Sequence, residues 1–262
     1  MIDPFWISLA AKMATTAVIV VAASMVVERS GPFIGAMVAT LPISAGPAYV
    51  FLAAEHGGAF IAQASLPSLA INAVTFGFGA IYARLAQTRA LPVALGAAAA
   101  FWLVGALVVV NAPWTLARAL VLNAVIFAFA YGATRACRAA ALTKIPARRW
   151  WDVPFRATLV MCLVGLVVGF GRILGPAAAG VAALVPIVMT SLAIILQPRI
   201  GGPGAAAVLS HALPGLVGFG LAVAALHIAV IPLGVAPALA LALAICVGWN
   251  AMLMLWRRYS DR

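Results

Sequence analysis

Long apolar runs alternate along this chain with short clusters of turn-forming residues. The runs cover about residues 5–27, 33–54, 59–83, 91–111, 114–134, 155–172, 176–197, 205–230 and 235–256. Each is close to the roughly 20 residues an α-helix needs to cross a bilayer. The pattern therefore predicts an all-α polytopic membrane protein of nine transmembrane helices. The breaks include Ser30-Gly31-Pro32, Glu55-His56-Gly57-Gly58, Asn111-Ala112-Pro113, Gly175-Pro176 and Gly201-Gly202-Pro203. Such clusters end helices because proline lacks an amide donor and glycine tolerates backbone conformations closed to other residues.

The runs repeat. Shifting the chain by 144 residues places Gly31-Pro32 and Pro42-Ile43 over Gly175-Pro176 and Pro186-Ile187, and Gly57-Gly58 over Gly201-Gly202. With three residues inserted, Leu66-Pro67-Ser68-Leu69 falls on Leu213-Pro214-Gly215-Leu216, and Trp102 on Trp249. Spans one to four thus correspond to six to nine, and the fifth is a connector. The expected organisation is a first repeat over residues 1–112, a connector helix with a basic loop over 113–153, and a second repeat over 154–262. The odd connector makes the second repeat enter the membrane from the opposite side, an inverted topology characteristic of secondary transporters.

Composition agrees. Hydrophobic residues make up 66% and charged residues 8% of the chain, and mean hydropathy is +1.17, which excludes an ordinary soluble domain. The net charge of +11 would suggest nucleic acid in a soluble protein. In a membrane protein it points to cytoplasmic loops instead, and Arg135, Arg138, Lys144, Arg148 and Arg149 crowd the one long connection. With that loop inside, the C-terminus is cytoplasmic and the N-terminus periplasmic. Arg29, Arg84, Arg89, Arg199, Arg257, Arg258 and Arg262 then also lie inside, Arg118 and Arg172 lie outside, and Lys12 is left within the first span.

Candidate chemistry sits at the breaks. Pro42 and Pro186 fall near the middle of spans two and seven, and each frees a carbonyl that needs a partner at membrane depth. Thr40 and Ser44 flank the first, Thr190 and Ser191 follow the second, and Asn72 shares a helix with Pro67. These residues are the expected substrate-binding set. Hydroxyls there also bond back to their own helices, and Asn72, Asn123 and Asn250 also serve as interhelical glue. His211, three residues before Pro214, and Glu28 are the proton-coupling candidates, because a side chain that titrates near neutral pH, or a carboxylate at depth, can carry a proton.

Glu55-His56 is expected in a loop, with a carboxylate beside a histidine able to accept a proton at a pathway entrance. His227 is expected at the interface. Gly77-Phe78-Gly79 and Gly169-Phe170-Gly171 lie inside apolar runs and predict close helix packing, not a phosphate loop. The cysteines Cys137, Cys162 and Cys246 are isolated packing residues, and no spacing of His, Cys or acid suggests a metal or a cofactor.

The stretch from Gly31 through Pro42 and Ser44, with the following Glu55-His56-Gly57-Gly58, resembles the core of small GlpM-type bacterial inner-membrane proteins over about the first 110 residues. Those proteins look like one repeat of this doubled chain. The resemblance implies a bacterial inner-membrane location and brings no substrate.

Two functions fit these features. The first is a secondary transporter or exporter of a small solute, with its midplane site at the broken helices two and seven and a proton allowed as coupling ion. The second is a non-transporting scaffold that binds a partner protein or lipid through small-residue faces such as Ala97-Ala98-Ala99-Ala100. The expected partners are membrane lipids and a solute, with a homo-oligomer allowed and nucleic acid excluded. Acids are too few for an intramembrane enzyme.

Overall fold

The computed structural model describes residues 10–19, 21–22, 45–139 and 149–260. Among these residues there is no strand, and the helices are α1 (Ala10–Ile19), α2 (Ala45–Leu85), α3 (Leu91–Asn111), α4 (Leu116–Ala133), α5 (Arg135–Ala139), α6 (Asp152–Ala182), α7 (Ile187–Leu233) and α8 (Val235–Ser260). Six of them are long and apolar enough to cross a membrane. The protein is a helical, membrane-embedded protein. Parts of the first two apolar runs lie outside the described residues.

Three of the long helices fold back on themselves. Tyr49 and Ser68, both in α2, are joined by a hydrogen bond of 2.5 Å. In a straight helix, 19 residues would separate them by about 28 Å. The chain reverses at Gly57, whose φ of 78° and ψ of −175° belong to a region essentially open to glycine alone. In α7 the reversal is at Gly201, with φ 77° and ψ 167°. There Met189 and Leu213, which a straight helix would hold about 36 Å apart, both pack on Gly79. Gly175 turns α6 in the same way and brings Ala179 back against Gly171, and Gly234 reverses the chain between α7 and α8. Gly57 and Gly201 lie 144 residues apart, the offset at which the sequence is aligned with itself.

The resulting arms follow the apolar runs. The second arm of α2 covers residues 58–85 and that of α7 covers 202–233, against expected spans of 59–83 and 205–230. α3 and α4 match the fourth and fifth runs within two residues. Local chemistry sets these ends: α3 starts with a proline in its first two positions, and the Thr115 hydroxyl accepts the Arg118 amide at the start of α4.

The second arm of α2 is the axis of the molecule. Leu69, Ile71, Asn72, Phe76, Phe78 and Tyr82 are buried on all its sides. α3 and α4 instead expose Leu103, Leu107, Val121 and Phe129, the apolar surface that lipid covers. Small residues permit the closest crossings. A Cβ on Gly180 would sit 2.1 Å from the Ala64 carbonyl oxygen, and one on Gly202 1.8 Å from that of Ala86. The expected packing role of the Gly-Phe-Gly pairs holds at Gly77 against Phe101, Gly79 against Leu213 and Gly171 against Leu52, while Gly169 faces open space.

Candidate functional site

Three helices meet at a polar node. Asn72 Nδ2 donates to Asn123 Oδ1 at 2.9 Å and to the Leu216 carbonyl at 3.1 Å. Asn123 Nδ2 in turn donates to the carbonyls of Leu69 at 2.6 Å and Ala119 at 2.8 Å. Asn72, Asn123 and Leu216 each lie within two residues of the middle of their arm or helix, so the node sits at the centre of the apolar layer. Gly220 makes room for it, since a Cβ there would stand 3.0 Å from Asn72 Nδ2. Asn72 Oδ1 is buried and accepts no hydrogen bond from the described residues. An unpaired acceptor in apolar surroundings is costly and is a natural station for a donor from solute or water. A cavity of about 310 Å³ adjoins the node, lined by Leu69, Phe76, Asn123, Val217 and Gly220.

The expected break at Pro186 is present. Helix stops at Ala182 and restarts at Ile187, with Pro186 at φ −75° and ψ 53°. The Ile187 amide bonds to the Val185 carbonyl at 2.7 Å, not to Ala183 one turn back, so the regular ladder is interrupted. Ser191 turns inward to the Val188 carbonyl at 2.9 Å, the back-bonding alternative among the two sequence readings. The Thr190 hydroxyl makes no hydrogen bond to the described residues and is half-buried. No hydrogen bond joins Thr190 or Ser191 to the Asn72 node.

The first arm of α2 and the end of α6 both touch the central arm. Tyr49 donates to Ser68 Oγ, and Ser68 donates to the Gly180 carbonyl at 2.7 Å. This chain links the piece after residue 44, through Ser68 beside Pro67, to the piece before Pro186. Neither Tyr49 nor Ser68 stands out in the sequence beyond the adjacency of Ser68 to a proline. Thr40, Pro42, Ser44 and Glu28 lie outside the described residues.

Charges are paired at two stations. Lys12 on α1 binds Glu55, and His56 Nε2 lies 3.8 Å from the other Glu55 oxygen while its ring stacks on Phe60. Glu55 and His56 are therefore helical residues with partners, not a free loop, because α2 runs on to Gly57 before turning. At the second station Arg199 grips Asp152 with both guanidinium nitrogens, at 2.8 and 2.6 Å, and lies over the Trp151 ring. Asp152 also accepts the Arg149 amide at 3.0 Å. The signal for the first pair was legible: an ammonium left inside a span needs a partner.

His211 is half-buried and engaged in the α7 arm. His227, expected at the interface, places Nδ1 2.9 Å from the Ala62 carbonyl and 3.1 Å from Ser65 Oγ, and so ties α7 to α2. Asn250 bonds back to Cys246 in its own helix and forms no interhelical bond among the described residues. Cys137 and Cys246 are buried as expected, whereas Cys162 is exposed on a face without packing neighbours to cover it.

No family model, curated protein or solved structure matches this chain.

Proposed function

We propose that this protein is a secondary transporter or exporter of a small solute, built from nine spans in two inverted repeats and seated in a bacterial inner membrane with its C-terminus in the cytoplasm. The observation that carries this reading is the relationship between the two ion pairs. Glu55 and Arg199 are repeat counterparts, each two residues before a reversing glycine. Each binds a residue on the helix that opens its own repeat, Lys12 for Glu55 and Asp152 for Arg199. Charge is swapped between the halves.

In the inverted arrangement these pairs close opposite mouths of one symmetric body. Both are partly reachable by water, with side-chain exposures of 14% and 24% at the first and 11% and 9% at the second. Pairs so placed are specific enough to re-form once broken, and each must be exchanged for water or another partner when its mouth opens. Breaking one at a time gives alternating access to the centre. There Asn72 Oδ1 offers an acceptor to a solute, and Thr190 offers a hydroxyl beside the Pro186 break, where the helix is interrupted as transporter binding sites are.

The test is sidedness of access. The native cysteines are replaced, Thr190→Cys is introduced, and a membrane-impermeant maleimide is applied to whole cells and to inverted vesicles. Glu55→Gln is expected to raise labelling from the outside and Asp152→Asn from the inside. A centre sealed from both sides in every variant would overturn transport and favour the scaffold reading.

A further inference from the structure

A groove of about 840 Å³ opens on the surface where the end of α2 meets the junction of α4 and α5. Its walls are apolar, formed by Ala80, Ile81, Leu85 and Phe129, and its mouth carries Arg84 and Arg135. Phe129 is 76% exposed, an aromatic side chain left for lipid to cover.

The two guanidiniums have no carboxylate to satisfy them among the described residues. The only described acids are Glu55 and Asp152, and both are engaged elsewhere, with Lys12 and Arg199. The neighbouring Arg138 is also committed: it lies 3.5 Å over the Tyr131 ring and donates to Thr134 Oγ1 and to the Tyr131 carbonyl. Among the described residues Arg84 and Arg135 have no acidic partner, which suits them to an anion from outside the chain.

The groove has the polarity of a lipid. From Arg135 back to Phe129 is about 9 Å along the helix, and from Arg84 back to Ala80 about 6 Å, so the charged end gives way to a purely apolar one along the span direction. We infer that this groove binds one acidic phospholipid, its phosphate between Arg84 and Arg135 and an acyl chain along Ile81 and Phe129. Basic pockets between helices at the cytoplasmic side recognise anionic headgroups in this way. The inference is independent of transport and holds equally for a scaffold.

Gly132 supplies a clean probe, because it lines the groove and a Cβ there would meet nothing within 4 Å. Detergent-purified protein is titrated with phosphatidylglycerol or phosphatidylcholine, and bound lipid is counted by native mass spectrometry. Phosphatidylglycerol is expected to bind in preference. Replacing Arg84→Gln and Arg135→Gln together should weaken it roughly thirtyfold, at about 1 kcal/mol for each cation. Gly132→Leu should weaken it with both arginines in place, while Arg89→Gln with Arg118→Gln, the same charge removed elsewhere, should leave it unchanged. Equal loss in that control pair, equal binding of the two lipids, or complete displacement by glycerol phosphate would each overturn the site: the first shows attraction by net charge without a groove, the second shows that the arginines do not select an acidic headgroup, and the last shows a soluble anion as its occupant.

Discussion

Arg199 holds both carboxylate oxygens of Asp152, across 47 residues of sequence, in a forked contact that a lysine could not reproduce. Removing the acid by Asp152→Ala should cost about 1.5–3 kcal/mol, the range for hydrogen bonds to charged groups, measured by thermal unfolding in detergent. Arg199→Lys should recover only part of the contact. Exchanging the two residues, Asp152→Arg with Arg199→Asp, should restore most of it, and a swap no better than the single variants would deny the pair a structural role.

The reversals should be sensitive to a single methyl group for reasons of backbone conformation alone. At Gly57 a Cβ would meet nothing within 4 Å, yet φ is 78°. Gly57→Ala is expected to cost about 1–3 kcal/mol. Gly96 and Gly248 have equal free space but lie in ordinary helix, so Gly96→Ala and Gly248→Ala should be stabilising by about 0.5–1 kcal/mol. Thermal melts of the three variants decide it, since equal effects would mean that Gly57 is not a conformational hinge.

Asn72 and Asn123 should behave as a coupled pair. Asn72→Leu leaves Asn123 Oδ1 and the Leu216 carbonyl without this donor, and Asn123→Leu strands the Leu69 carbonyl. A double-mutant cycle is expected to give a coupling of about 0.6 kcal/mol, with ~1.7 as the upper end for polar pairs in membranes. Additive effects would separate the two residues.

A water-soluble ligand should stabilise the protein through the centre. At a hundredfold excess over its Kd, a solute that binds only the folded chain adds about 2.7 kcal/mol. Screening metabolites and ions by thermal shift should find one whose effect disappears in both Asn72→Leu and Thr190→Ala. A shift from lipids alone would shift the weight to the scaffold.

Much of the local structure was legible before any coordinate. Gly57, Gly175, Gly201 and Pro186 mark breaks from sequence because their effect is covalent: a missing Cβ opens one region of φ and ψ, and a missing amide interrupts the ladder. The same reasoning placed the ends of α3 and α4 and marked Asn72 as a polar residue at membrane depth. It placed Glu55-His56 in a loop, because a turn cluster was read as ending the helix early. Tyr49, Ser68 and Asp152 carried no pattern at all, since each acquires its role from a residue on another helix.

The sequence by itself determined that this is a helical membrane chain and where several of its helices break or turn, because those properties depend on neighbouring residues and on overall apolarity. Only the tertiary structure decided which faces are buried. In water an amphipathic stripe reveals the buried face, but lipid is as apolar as a protein interior, so Phe76 in the core and Phe129 toward lipid look alike in sequence. It also decided who meets whom: Lys12 with Glu55, Asp152 with Arg199, and Asn72 with Asn123. A polar group in an apolar layer must find a partner, but which one depends on how the helices cross.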